Sequence, residues 1–138
     1  MKRFSRISLV SLALFSLPAM AQMQPGRWEM TSAMKMEGMQ MPSAKWSHCF
    51  SAKDLADGKQ HKMDDGDSKC SISDLKTTGT RFSYNFSCSS KEGSMVGKAS
   101  GTSSANSFTT DIKLKMTPDQ GMGEMSQTMT GKRIGDCK

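Results

Sequence analysis

The chain has 138 residues, 36% hydrophobic and 23% charged, with a formal net charge of +6. That length supports one modest core and excludes a second domain. Three of the 19 basic residues lie in an N-terminal leader, and the 16 that remain against 13 acidic ones give too small an excess to indicate nucleic acid or an anionic membrane as partner.

The leader is read from three features. Lys2, Arg3 and Arg6 precede an apolar run from Ile7 to Leu17, and Ala19-Met20-Ala21 offers the small residues a signal peptidase reads. The apolar run is about half of the roughly 20 residues a membrane-spanning helix needs. The expectation is a signal peptide, residues 1–21, cleaved after Ala21, followed by a single β domain, residues 22–138. The mature chain is expected to be periplasmic or secreted, monomeric and without a membrane span.

From there the pattern is mostly of period two. Trp28, Met30, Ser32, Met34 and Met36 alternate with Arg27, Glu29, Thr31, Ala33, Lys35 and Glu37, which predicts a half-buried strand. Gly38 to Pro42 reads as a turn, and Ala44, Trp46, His48 and Phe50 form one face of the returning strand. Ser51-Ala-Lys-Asp54 resembles a capping box and predicts a short helix that Gly58 stops. Lys59 to Ser68 reads as an exposed loop. Further strands are predicted near Cys70–Leu75, Arg81–Cys88, Met95–Ser103, Phe108–Met116 and Glu124–Ile134, with turns at Thr77-Thr78-Gly79, Ala105-Asn106 and Thr117–Gly123. The fold class is therefore all-β: an antiparallel up-and-down meander of about seven strands, curled into a small barrel or sandwich to hide its edges, with one short helix.

Core material is scarce. Outside the leader only Leu55, Ile72, Leu75, Val96, Ile112, Leu114 and Ile134 are branched aliphatics, with Phe50, Phe82, Phe86 and Phe108 beside them. Cys49, Cys70, Cys88 and Cys137 compensate: an even number in a small exported chain implies two disulfides. Folding the segments around Gly79 sets Cys70 opposite Cys88 and Ile72 opposite Phe86 on one face, which favours Cys70–Cys88 with Cys49–Cys137. Sequential pairing, Cys49–Cys70 with Cys88–Cys137, is the competing arrangement.

Pro25-Gly26-Arg27-Trp28-Glu29, the Met-Pro-rich segment Met34 to Pro42, His48-Cys49, Tyr84 to Cys88, and the ending Arg133-Ile134-Gly135-Asp136-Cys137 resemble the bacterial exported family DUF3617. The resemblance runs from Pro25 to Cys137. It implies a periplasmic or secreted domain of a Gram-negative bacterium with paired cysteines, and it assigns no activity and no catalytic residue.

Methionine is the unusual constituent, at 14 residues. Met34, Met36, Met39 and Met41 fall within eight positions, and Met122, Met125 and Met129 form a second group. Thioethers are soft ligands that select Cu(I) or Ag(I), so Met34, Met36, Met39 and Met41, with His48 as a nitrogen donor, form a candidate soft-metal site. Similar spacing occurs in copper-handling proteins of the bacterial periplasm. Two other readings use the same residues. Methionine is a flexible core filler, and exposed methionines act as reversible oxidant sinks.

Other constellations are weaker. Asp64-Asp65-Gly66-Asp67 offers oxygen ligands for Ca²⁺ but lacks the EF-hand spacing and distal Glu. His48 and His61 are the only histidines, and cysteines held in disulfides cannot ligate zinc. The chain has no Gly-x-Ser-x-Gly elbow, P-loop or Cys-x-x-Cys, and Glu29 and Glu37 fall on the solvent face, so a non-enzymatic binding or envelope-accessory role is expected. The alternative is a lipocalin-like barrel that holds a small apolar ligand among Trp28, Trp46, Phe82, Tyr84, Phe86 and methionines.

Overall fold

A computed structural model describes residues 23–61 and 67–138. The leader and most of the acidic candidate loop, Asp64 to Gly66, lie outside the described residues. Eight antiparallel strands form one sheet: β1 (Gly26–Met36), β2 (Met39–Gln40), β3 (Ala44–Phe50), β4 (Lys69–Thr78), β5 (Arg81–Ser90), β6 (Gly93–Ser103), β7 (Ser107–Thr117) and β8 (Glu124–Gly135). Between β3 and β4 lie a helix, α1 (Ala52–Ala56), and a 3-10 turn (Lys59–His61). The extra strand is β2, which pairs with β1 inside the segment expected to be a turn.

From β4 to β8 the chain is a meander of neighbouring hairpins, and β8 then pairs with β1 to join the two ends of the chain. β2 and β3 share the other side of β1 and β4 does not pair with them, so the curled sheet expected from the sequence is an open one, not closed into a barrel. Along the chain the helix and the 3-10 turn, rather than a tight hairpin turn, follow β3 before β4 begins.

One face carries the core. β5 and β7 alternate strictly, with Phe82, Tyr84, Phe86 and Cys88 buried from one and Phe108, Thr110, Ile112 and Leu114 from the other. Trp28, Met30, Phe50 and Phe108 form a second buried cluster, with Leu55 of α1 packed against it. Leu75, Val96 and Ile134 are 54%, 50% and 52% exposed, so the scarce aliphatics supply less of the core than their number suggests. Aromatic rings over glycines replace them. Phe86 lies directly across from Gly97, and Phe108 from Gly131. A Cβ at Gly131 would come within 2.1 Å of the Phe108 ring, so the ring occupies the space a side chain would need.

Two disulfides staple the sheet. Cys70 and Cys88 are register partners on β4 and β5, with Cys88 in the core. Cys49–Cys137 ties β3 to the segment after β8. In the chain-entropy treatment a loop of the first size removes about 3 kcal/mol of unfolded-state freedom, and one of the second size about 4.5 kcal/mol.

The terminal sequence signatures meet in one seam. Arg27 pairs with Gly135 beside a bulge in the β1–β8 ladder. Gly26 has φ +150, and a Cβ there would lie 2.4 Å from the Gly135 carbonyl oxygen. The Arg133 Nε donates to the Pro25 carbonyl at 2.9 Å, and its guanidinium also pairs with Asp136. Pro25-Gly26 and Arg133-x-Gly135-Asp136-Cys137 thus form a structural clasp between the chain ends.

Candidate functional site

β1 turns at Glu37-Gly38 into β2 with Met36 opposite Met39, and the Met41 N–H donates to the Met34 carbonyl at 3.0 Å. Opposed residues in an antiparallel pair project to the same side, as do residues two apart on a strand. All four methionines therefore share one face of the hairpin, the side that carries Trp28 and Met30 further along β1. Their Cα atoms stand at the corners of a rectangle about 5.5 Å by 7 Å. Three rotatable bonds in each side chain allow four sulfurs to converge above that rectangle.

The four differ in burial. Met34 and Met36 are partly buried, and Met36 packs against the cluster of Phe82, Tyr84 and Phe86. Met39 and Met41 are 64% and 42% exposed. The core explanation accounts for the first two and leaves the second two without a packing role.

His48 is a correction to the sequence-based ligand set. It pairs with Trp28, six residues before Met34 on β1, which at about 3.4 Å per residue puts its backbone about 20 Å from the methionine rectangle. It is exposed on the edge strand, and its ring contacts Phe50 at a centroid distance of 4.5 Å. The imidazole cannot ligate an ion held by the hairpin sulfurs.

Other sulfurs gather at the same end instead. The β1–β8 register, which sets Lys35 opposite Ser126, runs on to place Met125 beside Met36. Met122 and Met95 pack against the same core cluster, and Met95 lies opposite both Met116 and Cys88. The inner face at this end thus has a border of thioethers that ends in the Cys70–Cys88 disulfide. Met95 and Met116 escape a sequence reading because they are isolated in the chain; only strand register brings them to the group. Met129 sits at the other end, against Trp28 and Phe108.

The loop beside the hairpin is built around Asp119, whose Oδ1 accepts from the backbone N–H groups of Gly121 at 2.9 Å and Met122 at 3.1 Å. Glu37 at the hairpin tip lies over Gly123, where a Cβ would come within 2.8 Å of its Oε1. Glycine at that position lets the hairpin tip rest on the loop that carries Met122.

At the opposite end, His61 occupies a segment expected to be an exposed loop. Its ring lies 5.2 Å from both Phe82 and Tyr84, and burial lowers its pKa from the ordinary value of 6.5. The Tyr84 phenol is pushed up by the same desolvation. α1 is fixed nearby: Ser51 and Asp54 form a reciprocal capping box, and Lys59 donates to Asp54 at 2.6 Å. The Lys59 ammonium, together with Ser51, holds the Asp54 carboxyl well below the usual carboxylate range. Among the described residues no group of three or more His, Cys, Asp or Glu side chains is arranged to hold a metal, and no helix is long and apolar enough to cross a membrane.

Fold and site together define a small disulfide-stapled antiparallel β protein whose single sheet has one thioether-bordered end. Disulfides of this kind persist in oxidising compartments outside the cytosol. The chain matches the family described as "Protein of unknown function (DUF3617)" over residues 23–137, and it belongs to that family. No curated protein and no solved structure matches it.

Proposed function

We propose that this is an exported, non-enzymatic binding protein for a soft monovalent metal ion, Cu(I) or Ag(I), held by Met34, Met36, Met39 and Met41. The observation that carries the reading is the placement of Met36 opposite Met39 and of Met34 opposite Met41 on one face of a two-stranded hairpin. Soft thioether donors select these ions over harder divalent cations. The ligand set excludes His48 and draws its nearest additional sulfur from Met125 or Met122. The site acts in the periplasm of a Gram-negative bacterium or outside the cell, after removal of residues 1–21. The sheet curls over its inner face as a half-open barrel, which leaves the methionine border accessible at its rim.

An anaerobic Cu(I) titration of the disulfide-intact protein against a competing chelator tests the reading. The expected result is one tight equivalent, weakened at least about 100-fold by Met39→Leu with Met41→Leu and unchanged by His48→Ala. No competition by the unsubstituted protein, or equal binding by the double variant, overturns it.

A further inference from the structure

At the end of the sheet away from the methionines, α1 and the 3-10 turn stand off from the inner face. An internal space of about 50 Å³ lies between His61, Phe82, Tyr84, Phe108 and Ile112. Beside it is a cleft of about 550 Å³ under Ala52, Leu55 and Ala56 of α1. The two spaces share Met23, Gln60, His61, Phe82 and Ser103 as walls, so the cleft deepens into the smaller space. A volume of this size lies within the range typical of small-molecule sites.

Gln60 gives the cleft its chemistry. Its Oε1 is buried and has no hydrogen-bond partner, although the side chain lines both spaces. A buried carbonyl oxygen without a donor is destabilising, and native interiors contain few of them. The segment that carries it is not loose: the Ser51–Asp54 capping box and the Asp54–Lys59 ion pair fix α1 and the start of the 3-10 turn. The protein therefore holds an unsatisfied acceptor against an aromatic wall, on a braced support.

Among the described residues no Lys, Arg, Asp or Glu lines either space, and the polar walls besides Gln60 are the hydroxyls of Thr77, Tyr84, Ser103 and Thr110 and the His61 imidazole. Burial also disfavours the charged form of His61. Such surroundings do not compensate an ionic ligand.

We infer that this cleft binds a small, uncharged, mostly aromatic or aliphatic molecule carrying one hydrogen-bond donor, which it presents to Gln60 Oε1 while its apolar part lies against Phe82 and Phe108. The site is independent of the methionine hairpin, so the two can be tested separately.

The probe is N-phenyl-1-naphthylamine, a neutral fluorophore with a single N–H, and its donor-free counterpart is 1-phenylnaphthalene, followed by displacement. The unsubstituted protein is expected to bind the amine with a blue-shifted rise in emission. Gln60→Leu weakens the amine about tenfold and leaves the donor-free compound unchanged, without lowering the unfolding temperature. Ala56→Trp fills the cleft and abolishes binding of both compounds, whereas Met39→Leu with Met41→Leu leaves both unaffected. Absence of an emission change with the unsubstituted protein overturns the inference. So does equal affinity of the amine for Gln60→Leu, or undiminished binding by a folded Ala56→Trp variant.

Discussion

Asn85 Nδ2 donates to Asp74 Oδ2 at 2.8 Å across the β4–β5 ladder, at the point where the register of the two strands shifts. Near the turn the pairs are Thr78 with Arg81 and Lys76 with Ser83; beyond the shift they are Ser73 with Asn85 and Cys70 with Cys88. Asp74 and Leu75 together stand against the single residue Tyr84, and Asp74 takes a positive φ of 53. If Asp74 and Leu75 were both paired in regular register, with no bulge, Cys70 would face Ser89, and that one-residue slip would turn the β4 side chains to the wrong side.

Deletion of Asp74 is therefore tolerated. It removes the bulge, leaves Cys70 opposite Cys88, and turns Leu75 from solvent to the inner face beside Tyr84. Peptide mapping of the oxidised protein will find the Cys70–Cys88 bond retained. Asp74→Val, which keeps the bulge but forces a β-branched residue into positive φ, costs about 1–2 kcal/mol in urea unfolding.

The chain-end clasp predicts a larger loss. Gly26→Ala sets a methyl group where the Gly135 carbonyl and the Arg133 guanidinium already lie, on a backbone that favours glycine. Destabilisation of about 2–3 kcal/mol is expected. Faster reduction of Cys49–Cys137 than of Cys70–Cys88 will mark the seam as the part that opens.

Core and surface methionines separate by substitution. Met30 is 5% exposed, and Met30→Ala is expected to cost about 2–5 kcal/mol. Met39→Leu with Met41→Leu changes the unfolding free energy by less than about 0.5 kcal/mol, because both side chains are exposed and the swap nearly conserves volume. Thermal or urea unfolding of the metal-free variants makes the comparison.

His61 gives the protein a pH dependence. Its folded pKa is lowered by burial below the ordinary value of 6.5, so the unfolded chain binds the proton more readily. The stability associated with a neutral His61 is complete above about pH 6.5 and is lost as pH falls through that value toward the lower folded pKa. Unfolding curves from pH 7.5 to 5 will show the decline, and His61→Leu will flatten it.

Much of the sheet is legible in the sequence because alternation is a local signal. The strict period of two in Phe82 to Cys88 and Phe108 to Leu114 fixes both strands and the face they bury. The Ser51–Asp54 cap likewise marks the helix start. The Cys70–Cys88 alignment follows from the hydrophobic pattern even though the turn is centred half a residue later than Gly79, because the bulge at Asp74 restores the offset. Features set by non-local pairing are not legible. Trp46 and His48 alternate with polar neighbours as core residues do, yet they lie on an edge strand and stay exposed. The inward turn of His61 depends on a 3-10 turn that packs onto β5, and Met95 and Met116 join the thioether border only through strand register.

The proposed joint action of the hairpin methionines as one soft-metal site is open to a direct test: titration of Ag⁺ into protein carrying ¹³C-labelled methionine methyl groups, with each methyl signal followed by NMR. One equivalent is expected to shift the signals of Met34, Met36, Met39 and Met41 together and to leave Met30 and Met129 in place. Shifts spread evenly over all methionines, or none at one equivalent, contradict it.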